Sequence, residues 1–200
     1  MSAPRAARTG MLALALALGI ALAGCSSGGG VRMFVNSGAD MSFYTKIAIV
    51  PFGNLSPERF AGERVGRAFL TELVIGGDLP LVEDGDFRNA LDRAGATGDV
   101  QGQYDIDKVK KAAAAVGATA IIRGSVTDYQ MQSFGSNSAP VVGFDVEMLD
   151  VATGTTVWRG SITRRGKGRV PVVGGGASTL GALTQECCRE VVSRLEKEAF

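Results

Sequence analysis

Apolar and polar positions repeat along this chain with two different periods, and the switches between them mark its elements. Ile47-Ala48-Ile49-Val50 is an unbroken apolar run stopped by Pro51 and the turn-prone Gly53-Asn54, so a short buried strand is expected. Ser56-Pro57-Glu58 then reads as a helix start, with a capping serine, a proline at the first position and an acid in the first turn. Phe60, Ala61, Val65, Phe69, Leu73 and Ile75 follow near a helical spacing, and Gly76-Gly77 closes the segment. Leu79 to Val82 predicts a second short strand. A helix follows from Asp84 or Asp86 through Phe87, Ala90 and Leu91 to about Gly95. Ala96 to Tyr104 is a glycine-rich loop, and Asp105 caps a third helix that ends at Gly117.

Beyond Gly117 the period falls to two. Ala118 to Val126 is the strongest strand signal, Ser133 to Pro140 reads as a polar turn, and Val141 to Val151 sets Phe144, Val146 and Met148 against Asp145 and Glu147. Asp150 to Gly154 predicts a hairpin turn, Thr155 to Thr163 its return strand, and Ser178 to Glu198 a closing helix with Leu180, Leu183, Cys187, Val191 and Leu195 on one face. Val31 to Val35 suits either a short edge strand or part of a linker. The order predicts an α/β (α+β) architecture, a mixed sheet flanked by helices, with no internal repeat.

Arg5 and Arg8 precede an apolar run from Met11 to Leu22 that is too short for a helix spanning a ~30 Å hydrocarbon core. Leu22-Ala23-Gly24-Cys25 resembles the lipobox of bacterial lipoproteins. The resemblance implies cleavage before Cys25 and acylation of its thiol and new N-terminus, which anchors stably because more than one chain inserts. No aspartate follows the cysteine, and by the enterobacterial sorting rule this favours the outer membrane. The expected organisation is a signal peptide over 1–24, lipidated Cys25 with a glycine-rich tether over 25–41, and one periplasmic domain over 42–200.

Composition narrows the chemistry. Without Arg5 and Arg8 the basic and acidic counts become 19 and 20, which offers no global attraction to nucleic acid. The absence of histidine removes Ser-His-Asp and Cys-His arrangements and HExxH zinc sites. Cys187 and Cys188 lack CxxC spacing and are expected as core thiols, with cross-linking of two copies the alternative. Glu83, Asp84, Asp86, Asp105 and Asp107 sit at helix starts, where the macrodipole accounts for them. Gly174-Gly175-Gly176 before the last helix could cradle an anion, although a plain connector has the same composition. The chain is therefore read as non-catalytic, with no metal and no cofactor. One cluster stands out: Arg159, Arg164, Arg165, Lys167 and Arg169 fall within eleven residues, either as a solvated hairpin or as a docking patch for an acidic partner protein or for lipid phosphates.

Four segments resemble one group of periplasmic domains, which includes the TolB N-terminal domain, CsgG, FlgO and LpoB. They are Ile47 to Ser56, Leu81 to Asp84, Val116 to Val126, and Leu149 to Gly154 with Val157-Trp158. The resemblance implies an α/β domain that binds proteins and supplies no catalytic residues. The expectation is a lipid-anchored adaptor or assembly protein of the outer membrane, facing the periplasm, bound to other envelope proteins and able to self-associate. The alternatives are an LpoB-like activator of a penicillin-binding protein, a CsgG-like channel subunit, and a small-ligand-binding domain. The channel is disfavoured because Gln130 to Pro140 is too short for two spanning strands and Arg164 to Ala177 is basic. The activator must reach a distant partner, and a tether of about sixteen residues spans only ~50–55 Å.

Overall fold

The computed structural model describes residues 30–77, 79–134, 137–168 and 179–199. Its strands are β1 (Arg32–Val35), β2 (Ile47–Ile49), β3 (Gly53–Asn54), β4 (Ala120–Phe134), β5 (Asn137–Asp150) and β6 (Thr156–Arg165). Its helices are α1 (Ala61–Gly76), α2 (Asp84–Arg93), α3 (Ile106–Ala115) and α4 (Leu180–Ala199). Among the described residues the strands form one mixed sheet in the order β1-β6-β5-β4-β2, with β3 also on β4. β2 and β3 run parallel to β4, and the other pairings are antiparallel. The mixed sheet with flanking helices expected from the periodicities is what the chain forms.

Register divides the side chains. On one face Ile122, Met148 and Trp158 form a cross-strand row, followed by Gly124, Val146 and Gly160, then Val126, Phe144 and Ile162. α1 and α4 cover these rows with Val65, Phe69, Leu73, Leu183, Cys187, Cys188, Val191 and Leu195, giving a continuous buried core. The two glycines of the middle row have a specific task. The Phe52 ring lies over Gly124, where an added Cβ would sit 2.5 Å from a ring carbon, and the Trp158 indole lies over Gly160 in the same way. The opposite face is treated differently. There α2 and α3 pack on Ala48, Val50, Ile121 and Val151 only, at the β2 side of the sheet.

Three sequence expectations change. Ser56 does not cap α1: its hydroxyl donates to Asn54 Oδ1 at 2.8 Å, while Asn54 Nδ2 donates to the Glu58 carbonyl at 2.7 Å. That local turn competes with the first helical turn, so α1 begins at Ala61. The expected turn over Ser133 to Pro140 is largely strand, since Met131 to Phe134 pair with Asn137 to Pro140 in register. Polar residues here face solvent on both sides of a two-stranded ribbon, and this hid the strand from a periodicity argument. Leu79 to Val82 contributes a single bridge, Leu81 to Ile47, instead of a strand.

The N-terminal alternative also resolves. Arg32 to Val35 pair with Trp158 to Ser161, so the sheet begins ten residues ahead of the boundary expected at 42. The signal segment 1–24, Cys25, Arg169 and Gly174 to Gly176 lie outside the described residues. No described helix is long and apolar enough to cross a membrane.

Replacing Gly160 by alanine drives a methyl into the Trp158 ring, an overpacking strain of about 1–3 kcal/mol. The unfolding free energy of Gly160→Ala from urea melts is expected to fall by that amount, whereas Gly85→Ala, at an open helical position, leaves it unchanged or raises it.

Candidate functional site

Because α2 and α3 stop short of β5, the face opposite the main core lies open across β4, β5, β6 and β1. Two polar rows cross it. One runs Arg123, Glu147, Arg159 and Phe34, and the next runs Ser125, Asp145, Ser161 and Arg32. Each polar residue is there for the reason its neighbours are buried: adjacent strand positions point to opposite faces. Arg123 and Glu147 form an ion pair, with Nη2 and Nε at 2.6 and 2.7 Å from Oε1. Thr156 Oγ1 lies 3.4 Å from the other Glu147 oxygen.

Asp145 and Arg159 have no such partner: neither side chain makes a hydrogen bond or ion pair among the described residues. Both line a cleft of about 260 Å³ whose other wall is apolar, built from Val50, Leu55, Tyr104, Ile106 and Val109. The loop before α3 holds that wall in place. Asp99 Oδ1 accepts the backbone N–H groups of Gln101 and Gln103, each at 2.8 Å, and Gln103 Nε2 donates to Ser125 Oγ at 3.2 Å. A charged floor with one unpaired group of each sign, beside an exposed apolar wall, suits a peptide segment better than a reactive small molecule. The described residues contain no group of three metal-ligating side chains.

Of the five basic residues offered as one patch, the four that are described do not share one face. β6 sends Arg159 and Arg165 to the open face and Arg164 to the other, where Nη1 meets Glu186 Oε1 at 3.2 Å and Nη2 pairs with Glu190. At 17% side-chain exposure, Arg164 ties the rim of β6 to α4 and is not available to a partner. Lys167 is exposed beyond the strand end, and Arg169 lies outside the described residues. The cleft residues Arg123, Asp145, Glu147 and Tyr104 were missed as a site. The alternation around Val146 signalled a wet face, but nothing local signalled that Arg123, some twenty residues earlier, would share it.

Cys187 and Cys188 are buried in the α1–α4 layer as free thiols, which agrees with the core expectation. Burial pushes the Cys187 thiol up to about 12, with the Arg164 charge opposing. Burial also pushes Cys188 up.

A family model described as "Peptidoglycan-synthase activator LpoB" matches residues 30–163, a span that holds the whole sheet except the end of β6. No curated protein matches the sequence. Among solved structures, a PelC dodecamer from Paraburkholderia phytofirmans is similar in fold, with a TM-score of 0.55 and 22% identity over 84% of this chain and 96% of that one. The lipoprotein GNA1162 from Neisseria meningitidis gives a TM-score of 0.54 and 16% identity, over 76% of this chain and 99% of that one.

Arg164→Ala leaves the half-buried Glu190 carboxylate on α4 without its partner and is expected to cost about 1–2 kcal/mol in urea unfolding, while Arg159→Ala, whose exposed side chain has no partner among the described residues, costs almost nothing. For the thiols the sign is set by the unfolded chain, which ionises first, near the ordinary thiol value of 9.0. Stability is therefore fully held below pH 9 and declines as pH rises toward the folded value of about 12. Urea melts below and above pH 9 should show this decline in the parent and a shallower one in Cys187→Ala.

Proposed function

This chain belongs to the peptidoglycan-synthase activator LpoB family, and from that membership we propose that it is a non-catalytic adaptor, anchored by acylated Cys25 to the outer membrane. It faces the periplasm and docks a peptidoglycan synthase or another envelope protein. The docking surface is the open sheet face, with Arg159 and Asp145 as its charged contacts and Leu55 and Tyr104 as its apolar ones. The observation that carries the reading is the pairing of family and geometry: the matched segment contains a sheet face that no described helix covers, with two opposite charges unmet among the described residues.

The tether sharpens what kind of partner fits. With β1 beginning at Arg32, Cys25 lies only seven positions ahead of it, a span of at most ~25 Å instead of the ~50–55 Å expected for sixteen. The adaptor therefore stays close to its own membrane. A synthase rooted in the opposite membrane must supply the reach itself.

A second reading, self-association, is favoured by the fold likeness to PelC, whose structure is a dodecamer. Both signs of charge on one open face allow a copy of this chain as the partner.

The two readings separate in one experiment. Affinity capture of cross-linked partners from envelopes should fall about tenfold in the double variant Arg159→Glu with Asp145→Lys, at unchanged thermal stability. Arg88→Glu, an exposed change on α2, should capture as the parent does. Capture that is indifferent to the double variant would remove the face from the docking role. A light-scattering mass of several protomers that collapses to one in the double variant would assign the face to self-association.

A further inference from the structure

The point where the chain enters the sheet and the tip of the longest hairpin lie on the same side of the domain. Arg32 stands opposite Ser161, and Ser161 opposite Asp145, so entry is at the level of Asp145 in β5. β1 is antiparallel to β6, and residues preceding Arg32 therefore approach from the Arg165 end of β6. β6 stops there, with Arg165 opposite Val141, while β4 and β5 continue as a two-stranded ribbon to Phe134 and Asn137.

The lengths can be compared. Asn137 lies eight residues beyond Asp145, roughly 27 Å at the rise of a strand. Cys25 lies seven residues before Arg32, at most ~25 Å even fully extended. The ribbon thus reaches at least as far as the anchored residue, and any slack in the tether brings its tip into the leaflet.

The chemistry of the tip agrees with that position. From Tyr129 to Phe144 the chain carries no Asp, Glu, Lys or Arg. Met131 is 48% exposed, and Gln132, Ser133 and Asn137 are exposed beside it. Exposed Arg165 and Lys167 flank the ribbon, held there by the Gly166 N–H donating to the Pro140 carbonyl at 2.8 Å. An uncharged tip with cations at its base fits the headgroup layer of an anionic leaflet. The four residues of each strand beyond β6 are too few to span a bilayer, which takes ~9–11, and Gly166 and Gly168 lie along the β5 side of the ribbon.

We propose that the end of the β4–β5 ribbon, through Met131, Gln132, Ser133 and Asn137 with Arg165 and Lys167 beside them, rests in the headgroup layer of the anionic leaflet that holds the acyl anchor. This rests on the acylation of Cys25 proposed above, and it fixes which way the open docking face is turned: sideways along the membrane, with the β5–β6 turn pointing away from it.

The test uses the full acylated protein reconstituted in phosphatidylethanolamine–phosphatidylglycerol vesicles with brominated acyl chains. The one native tryptophan, Trp158, is fully buried and supplies a constant background. Met131→Trp, or Ser133→Trp should the first fail to fold, is expected to be quenched at least about threefold more than Ala152→Trp at the far turn. Adding Arg165→Glu and Lys167→Glu should reduce that difference while the acylated mass is unchanged. Equal quenching at the two ends in acylated protein overturns the proposal alone. A mass without acyl chains overturns the anchored reading, and this proposal with it.

Discussion

The rest of the structure depends on the register between β4, β5 and β6, which sends every second residue of three long strands to the same face. With Ile122, Met148 and Trp158 aligned on one side, Arg123, Glu147 and Arg159 have no choice but the other. A slip of one residue would bury three charged groups and expose an indole, so the pattern enforces itself. The glycines of the middle row make the apolar side flat enough for Phe52 and Trp158 to lie on it, and α1 and α4 then seal that side along its width.

The two faces divide stability and recognition between them. The sealed face carries the large buried side chains, the inert thiols and the Arg164 link to α4. The open face carries an ion pair that satisfies itself and two charges that do not. Such unmet charges cost little while water reaches them, and they become selective when a partner of matching polarity displaces that water. The adaptor role proposed above needs no more than this from the surface.

Under the acylation proposed for Cys25, the placement of β1 links anchoring to recognition: a strand that takes up Arg32 to Val35 leaves fewer positions between the anchor and the sheet, and a shorter tether restricts the orientation of the domain. The hairpin that extends past β6 then becomes a geometric element in its own right, set by the same register that organises the core.

Read residue by residue, the chain itself determined a good deal. The buried strand at Ile47, the helix capped by Asp105, the turn at Asp150 to Gly154 with Gly154 at φ 75°, and the amphipathic closing helix are local patterns, and each formed. The wet face of β5 was also visible, because alternation is local. Tertiary structure decided what depends on partners distant in sequence. Asn54 diverted Ser56 from its cap, the β4–β5 ladder carried strands through a polar stretch that carries no periodic signal, and pairing with β6 turned Arg32 to Val35 from linker into sheet. The basic cluster shows the limit most plainly: five neighbouring charges look like one patch in one dimension, yet the two-residue period of a strand sends Arg164 to α4 and Arg159 to the open face, and only the cross-strand neighbours Arg123, Asp145 and Glu147 complete the cleft.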